Sequence, residues 1–177
     1  RAFDEKDFDE FDRERYPDVL FAGMMEYDGD LHIPSKYLVS PPEIDRTVCE
    51  YLCGQGTTMF AISETQKFGH VTYFWNGNKS GYICPELEEY LEIPSDKIQF
   101  DKAPGMKAEE ITDKTIELLS SGKYRFGRLN FANGDMVGHT AIPKAVVTAV
   151  ETVDRCVKRL LETVEKLGGV AVITADH

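Results

Sequence analysis

Apolar residues recur at steps of three and four between residues 144 and 167: Val146, Ala149, Val153, Val157, Leu160, Val164 and Leu167. That spacing draws one stripe down a helix of 3.6 residues per turn and predicts a long amphipathic α-helix. Gly168 and Gly169 close it, and Val170-Ala171-Val172-Ile173-Thr174 follows as an unbroken β-rich run. A strand buried on both faces, as in a parallel sheet, reads this way. With Arg128-Leu129-Asn130-Phe131 as the preceding strand, the succession is a βαβ unit.

The rest of the chain is read by the same periods. Residues 44–54 predict a helix stopped by Gly54-Gln55-Gly56, and Thr58-Met59-Phe60-Ala61-Ile62 a short apolar strand. His70-Val71-Thr72-Tyr73-Phe74-Trp75 predicts a second strand, ended by Asn76-Gly77-Asn78. Residues 107–119 predict a helix with Ala108, Ile111, Ile116 and Leu119 on its apolar side. Nearer the start, residues 3–15 scatter Phe3, Phe8 and Phe11 among acids and predict a short, exposed helix, closed by Pro17. Residues 19–25 predict a buried strand and Tyr27-Asp28-Gly29-Asp30 a turn. Residues 34–42 end in Ser40-Pro41-Pro42 and predict a linker, because tandem prolines forbid helix and stiffen the backbone. A domain boundary is placed there, and the class beyond it is α/β.

Composition adds limits. The 177 residues are 42% hydrophobic and 29% charged, enough to bury a core. A net charge of −11 argues against nucleic acid or an anionic membrane as main partner, since both demand clustered Lys and Arg. The apolar runs are too short to span a bilayer, and no apolar stretch follows a basic start, so neither anchor nor signal peptide is expected. The four cysteines, Cys49, Cys53, Cys84 and Cys156, lack the paired spacing of a zinc site and are expected to be reduced thiols of an intracellular protein.

Two clusters carry candidate chemistry, and each comes just past a predicted strand, where open α/β sheets bind ligands. In Asn133-Gly134-Asp135-Met136-Val137-Gly138-His139-Thr140, a carboxylate and an imidazole stand four apart. They can converge on one cation if the segment turns helically; otherwise Asp135 caps a helix and His139 is merely buried. The second cluster is Asp176-His177, after the run 170–174. One βαβ unit separates the two, so both pairs are expected over one crevice. Two carboxylates and two imidazoles suit a pair of ions such as Mn²⁺ or Zn²⁺ better than purely oxygen-ligated Mg²⁺ or Ca²⁺. Lys67, between two predicted strands, either offers positive charge to an anionic substrate or is a solvated loop lysine.

These segments, with Ser63-Glu64-Thr65-Gln66-Lys67-Phe68-Gly69-His70 and Val172-Ile173-Thr174-Ala175-Asp176-His177, resemble the cofactor-independent phosphoglycerate mutases of the alkaline phosphatase superfamily. The resemblance runs through most of the chain and is nearest to the plant-like branch. It implies an alkaline-phosphatase-like, mostly parallel sheet with helices on both faces. Residues 1–37 would be the tail of an inserted phosphotransferase domain, 38–43 a hinge and 44–177 part of the metal-binding domain. It implies interconversion of 3-phosphoglycerate and 2-phosphoglycerate through a phosphoserine with two Mn²⁺ (or Co²⁺, Zn²⁺, Mg²⁺) and no 2,3-bisphosphoglycerate. Asp135 and His139 would bind one ion, Asp176 and His177 the other, and Lys67 would contact the phosphoryl group. The family's serine, a further aspartate, a third histidine and most of its arginines have no counterpart in the chain. The chain alone is therefore expected to lack mutase activity and to bind metal weakly. The expected partner is a small phosphoglycerate, with no nucleic acid or membrane, in a cytoplasmic, monomeric full-length enzyme. Two other readings are a different phosphatase or phosphomutase of that superfamily and a non-catalytic binding module.

Overall fold

A computed structural model describes every residue of the chain except Pro17, Asp30, Pro41, Asp176 and His177. The chain divides into two compact units, residues 1–44 and residues 45–177.

In the first unit, β1 (Gly23–Met25) and β2 (Tyr37–Val39) pair in parallel, with Gly23 opposite Tyr37. Asp28 and Ile33 form a bridge across the turn between them, and the Asp28 carboxylate accepts the Leu31 amide. Two expectations fail here. Residues 3–15 form turns instead of a helix. Their acids make other bonds than a helical ladder: Asp12 takes the Glu14 N–H, and Asp4 reaches out of the segment to accept from the Ser35 N–H. The Arg13 guanidinium then ties the coil together by donating to the carbonyls of Ala2, Glu5 and Lys6. The buried strand expected over 19–25 is three residues long and exposed, with Leu20 81% accessible. Two strands alone give an apolar face nothing to pack on.

The second unit is built on β3 (Met59–Glu64), in which all six residues are buried. It is the middle strand of a parallel three-stranded sheet, flanked by β4 (Glu88–Ile93) and β5 (Phe126–Leu129). Helix α1 (Val48–Gly54) enters β3. It starts later than the pattern predicts, at a capping box in which Thr47 Oγ1 accepts the Glu50 amide and Glu50 accepts the Thr47 amide. A 3-10 turn (Thr65–Lys67) and a single helical turn, α2 (Phe68–Val71), leave β3. Then come α3 (Ala108–Ser120), α4 (Asn133–Gly138) and α5 (Pro143–Lys166).

Phe60 and Ile62 of β3 pack with Ile111 and Leu118 of α3, while Val137 packs with Ala145 and Ala149 of α5. The buried line of α5 is Ala145, Ala149, Thr152, Cys156 and Leu160, one step round the helix from the predicted stripe at several turns. Gly168, at φ +68°, ends α5 in a Schellman arrangement, with the Gly169 amide on the Val164 carbonyl. Gly127 is required by proximity: a Cβ there would lie 2.3 Å from the Phe60 ring.

Three further expectations are corrected. Residues 70–75 are not a strand. β3 already has a partner on each edge, and the chain leaving it turns at once, with Thr72 Oγ1 donating to the Phe68 carbonyl and the Phe74 amide to that of Gly69. Aromatic and β-branched content reflects packing there, not extension. Residues 170–174 carry no strand, and Val170 is 92% exposed. The run leaves α5 exposed and pairs with no strand among the described residues, so the expected βαβ closure on β5 does not form even though β5 keeps an unpaired outer edge. The cysteines are not all reduced: Cys53, at the end of α1, is bonded to Cys84, before β4, across 31 residues with Cα atoms 6.1 Å apart. Cys49 and Cys156 are buried free thiols, and burial pushes Cys49 up to about 11.

Candidate metal centre

The parallel register makes the carboxyl ends of β3 and β5 neighbours, since Ile62 stands opposite Leu129. Each strand delivers one part of a cluster. Past β3, the 3-10 turn points Lys67 back over the sheet edge. Past β5, the chain runs through Asn130 into α4, whose first turn carries Asp135, with His139 one turn on. An i, i+4 pair shares one helix face, so carboxylate and imidazole meet.

Lys67 Nζ lies 2.5 Å from Asp135 Oδ2, and the two side chains are 7% and 16% exposed. His139 Nε2 lies 2.9 Å from Asp135 Oδ1, with its own side chain 78% exposed. Each carboxylate oxygen thus faces its own nitrogen. His70 Nε2 is 3.5 Å from Lys67 Nζ, and its ring packs edge-on against Phe74. Lys67 is therefore not a solvated loop lysine, nor is His139 a core histidine. Asp176 and His177 lie outside the described residues.

Two residues that the sequence reading passed over hold this cluster in place. Glu64, buried at the last position of β3, accepts from Ser95 Oγ at 2.8 Å and from the Lys107 amide at 3.2 Å. Asn133, buried at the start of α4, donates to the carbonyls of Pro104 and Gly105 at 2.9 and 2.8 Å. Residues 95–107 are thereby strapped across the sheet edge between the two segments that carry Lys67 and Asp135. The signal was available, since a glutamate ending an apolar strand has to find donors.

The donor set is an oxygen and an imidazole nitrogen on successive turns, chemistry that suits Mn²⁺, Co²⁺ or Zn²⁺. Close by, the side-chain oxygens of Asn130 and Asn133 are buried without a hydrogen-bond partner among the described residues, leaving acceptors turned inward at the same strand end. No group of three or more His, Cys, Asp or Glu side chains placed to hold a metal ion occurs among the described residues, and Asp135 with His139 supplies two donors where a divalent site takes three or four.

A second buried ion pair lies toward the other end of the sheet. Arg128 Nη2 is 3.4 Å from Glu88 Oε2, and both side chains are almost fully enclosed. Burial pushes the Glu88 carboxyl up, but hydrogen bonds from the Cys84 amide, the Tyr90 hydroxyl and the Cys49 thiol, with Arg128 beside it, hold it below the ordinary glutamate value. Burial pushes Tyr90 up to about 12. No helix of the described residues is long and apolar enough to cross a membrane.

Comparison with known proteins follows the same outline. A model of the metalloenzyme superfamily matches residues 21–177. The chain is 56% identical over 177 residues to a 2,3-bisphosphoglycerate-independent phosphoglycerate mutase of Trypanosoma brucei brucei. It is 56% identical over 178 residues to a probable enzyme of that name from Arabidopsis thaliana. Both matches cover 100% of this chain. Among solved structures, a Leishmania mexicana phosphoglycerate mutase at low cobalt concentration superposes with a TM-score of 0.88 at 55% identity, again over 100% of the chain. The chain spans about a third of these relatives, 32% of each.

Proposed function

From the chain's membership of the metalloenzyme superfamily, shown by the match over residues 21–177, we propose that it forms part of a cofactor-independent phosphoglycerate mutase. The reaction is the interconversion of 3-phosphoglycerate and 2-phosphoglycerate through a phosphoserine, on a serine supplied from outside these 177 residues. The observation that carries this reading is the buried Lys67–Asp135 contact with His139 on the other carboxylate oxygen, at the joint carboxyl edge of β3 and β5.

Asp135 and His139 would hold one divalent ion, Mn²⁺ in our reading, and Asp176 and His177 a second. When bound, such a pair neutralises phosphoryl oxygens and activates the attacking oxygen. Lys67 supplies a mobile point charge at the edge of the site, suited to a phosphoryl group whose charge is spread over three equatorial oxygens. Glu64 and Asn133 keep the segments bearing Lys67 and Asp135 from drifting apart, which matters because ångström-scale misplacement costs orders of magnitude in rate. We read residues 1–37 as the end of an inserted phosphotransferase domain, 38–43 as a hinge and 44–177 as metal-binding domain; the two compact units part at residue 44, within one residue of the last of these boundaries. The substrate is a small phosphoglycerate, and the complete enzyme is a cytoplasmic monomer.

The test is isomerisation by the complete polypeptide that contains this chain, assayed on 3-phosphoglycerate with Mn²⁺ supplied and chelated. We expect metal-dependent formation of 2-phosphoglycerate, and a loss of about a hundredfold or more in kcat on Asp135→Asn. Release of free phosphate without isomerisation would reject the mutase in favour of a phosphatase.

A further inference from the structure

Resting on the reading of Asp135 and His139 as metal ligands, we propose that Lys67 exchanges partners: it neutralises Asp135 while no metal is bound, and metal entry hands its ammonium to the phosphoryl anion. A carboxylate only 16% exposed needs a countercharge, and the ammonium 2.5 Å away on Oδ2 supplies it. His139 occupies Oδ1 at 2.9 Å. A cation that takes Asp135 through Oδ2 meets an ammonium already there, and two positive charges do not share so small a space. One must leave.

The architecture lets it be the lysine. The backbone of Lys67 is fixed by the 3-10 turn that ends β3, so only its side chain has to move. A lysine is a point charge on a flexible stem, with donors that can be re-aimed, whereas a guanidinium would grip both carboxylate oxygens. The exchange couples the ligands: metal on Asp135 releases the ammonium for an anion, and an anion drawing on Lys67 clears Asp135 for metal. Linkage makes that favour mutual. It also explains why a phosphoryl-binding lysine is buried against a carboxylate instead of waiting in solvent.

The test uses the chain itself, with Zn²⁺ and Mn²⁺ as probes and sulfate standing in for the phosphoryl anion. Nitrogen-resolved spectra of the lysine ammonium groups, assigned with Lys67→Arg, should show a slowly exchanging Lys67 signal that disappears at saturating Zn²⁺. Water-proton relaxation should show Mn²⁺ binding about tenfold tighter in Lys67→Met, within the ordinary span of coupling between sites. Sulfate should tighten Mn²⁺ binding in the unaltered chain and leave Lys67→Met unchanged. Should Lys67→Met melt early, Lys67→Gln takes its place in the titration. A Lys67 signal that persists at saturating Zn²⁺, while Asp135→Asn abolishes binding, would keep the metal site and overturn the exchange. If Asp135→Asn binds metal as the unaltered chain does, the metal reading itself is wrong and the exchange falls with it; if neither binds, the same titration on the complete polypeptide decides, and equal binding by it and its Asp135→Asn variant overturns both.

Discussion

Two buried cation–carboxylate pairs sit on one three-stranded sheet, and they are built to opposite ends. Glu88 and Arg128 are locked. Glu88 accepts from the Ile83 and Cys84 amides and the Tyr90 hydroxyl, while Arg128 Nε donates to the Val71 carbonyl and its guanidinium lies over the Trp75 and Tyr90 rings. Lys67 and Asp135 stand at the carboxyl edge, where Asp135 is joined by an imidazole that opens to solvent. A planar guanidinium in an aromatic sandwich holds a fold in register, whereas a flexible ammonium beside an accessible imidazole is poised to be traded. Ion pairing alone does not mark function; we separate the two pairs by position on the sheet and by the type of cation.

The largest expected effect comes from breaking the locked pair. Arg128→Met leaves the Glu88 charge enclosed and should cost about 3–5 kcal/mol in urea unfolding. Next is the staple beside it. Replacing Cys53 and Cys84 by serine frees a 31-residue span and should cost about 3 kcal/mol under non-reducing conditions, with no loss when reductant is already present. Lys67→Met should cost less, about 1–2 kcal/mol, because Asp135 keeps His139 and some access to water. A cost equal to that of Arg128→Met would erase the distinction between the pairs.

The smallest and sharpest effect is in pH. The folded Glu88 carboxyl is held below its ordinary value, so its contribution is present above the unfolded pKa and is lost as pH falls through the folded one. Acid unfolding of the chain should therefore include a Glu88 component that Glu88→Gln removes, leaving stability near neutrality as the only cost.

The same contrast explains what could be read from the sequence. The strands β3 and β5 and the helices α3 and α5 are legible as elements because their apolar residues recur at a structural period, though which residues of α3 and α5 are buried differs from the predicted stripes. The strand β4 escaped notice because Glu88-Glu89-Tyr90-Leu91-Glu92-Ile93 is an acidic edge strand, and the burial of its Glu88 rests on Arg128 and Cys49 from far along the chain as well as on the neighbouring Ile83 and Cys84 amides. Residues 70–75 and 170–174 carry strand composition but join no ladder, the first turning at once on leaving β3 and the second lying exposed beyond α5, which local pattern does not reveal. At the site, the four-residue step from Asp135 to His139 was visible as a helical face. The burial of Lys67 was not, because it depends on the 61 residues between β3 and β5 returning β5 beside β3. The Cys53–Cys84 bond is likewise a matter of three-dimensional proximity.

The central claim is that Asp135 and His139, not the many surface acids, receive a divalent cation. Mn²⁺ added in small amounts to the isotope-labelled chain broadens the signals of whatever lies near it. With the cation on Asp135 and His139, amide signals from residues 65–70 and 133–140 are lost early and selectively, and those around Glu88 and Arg128 are spared. Broadening that begins instead among exposed acids such as Glu109, Asp113 and Glu117, or that spreads evenly over the chain, would contradict that placement.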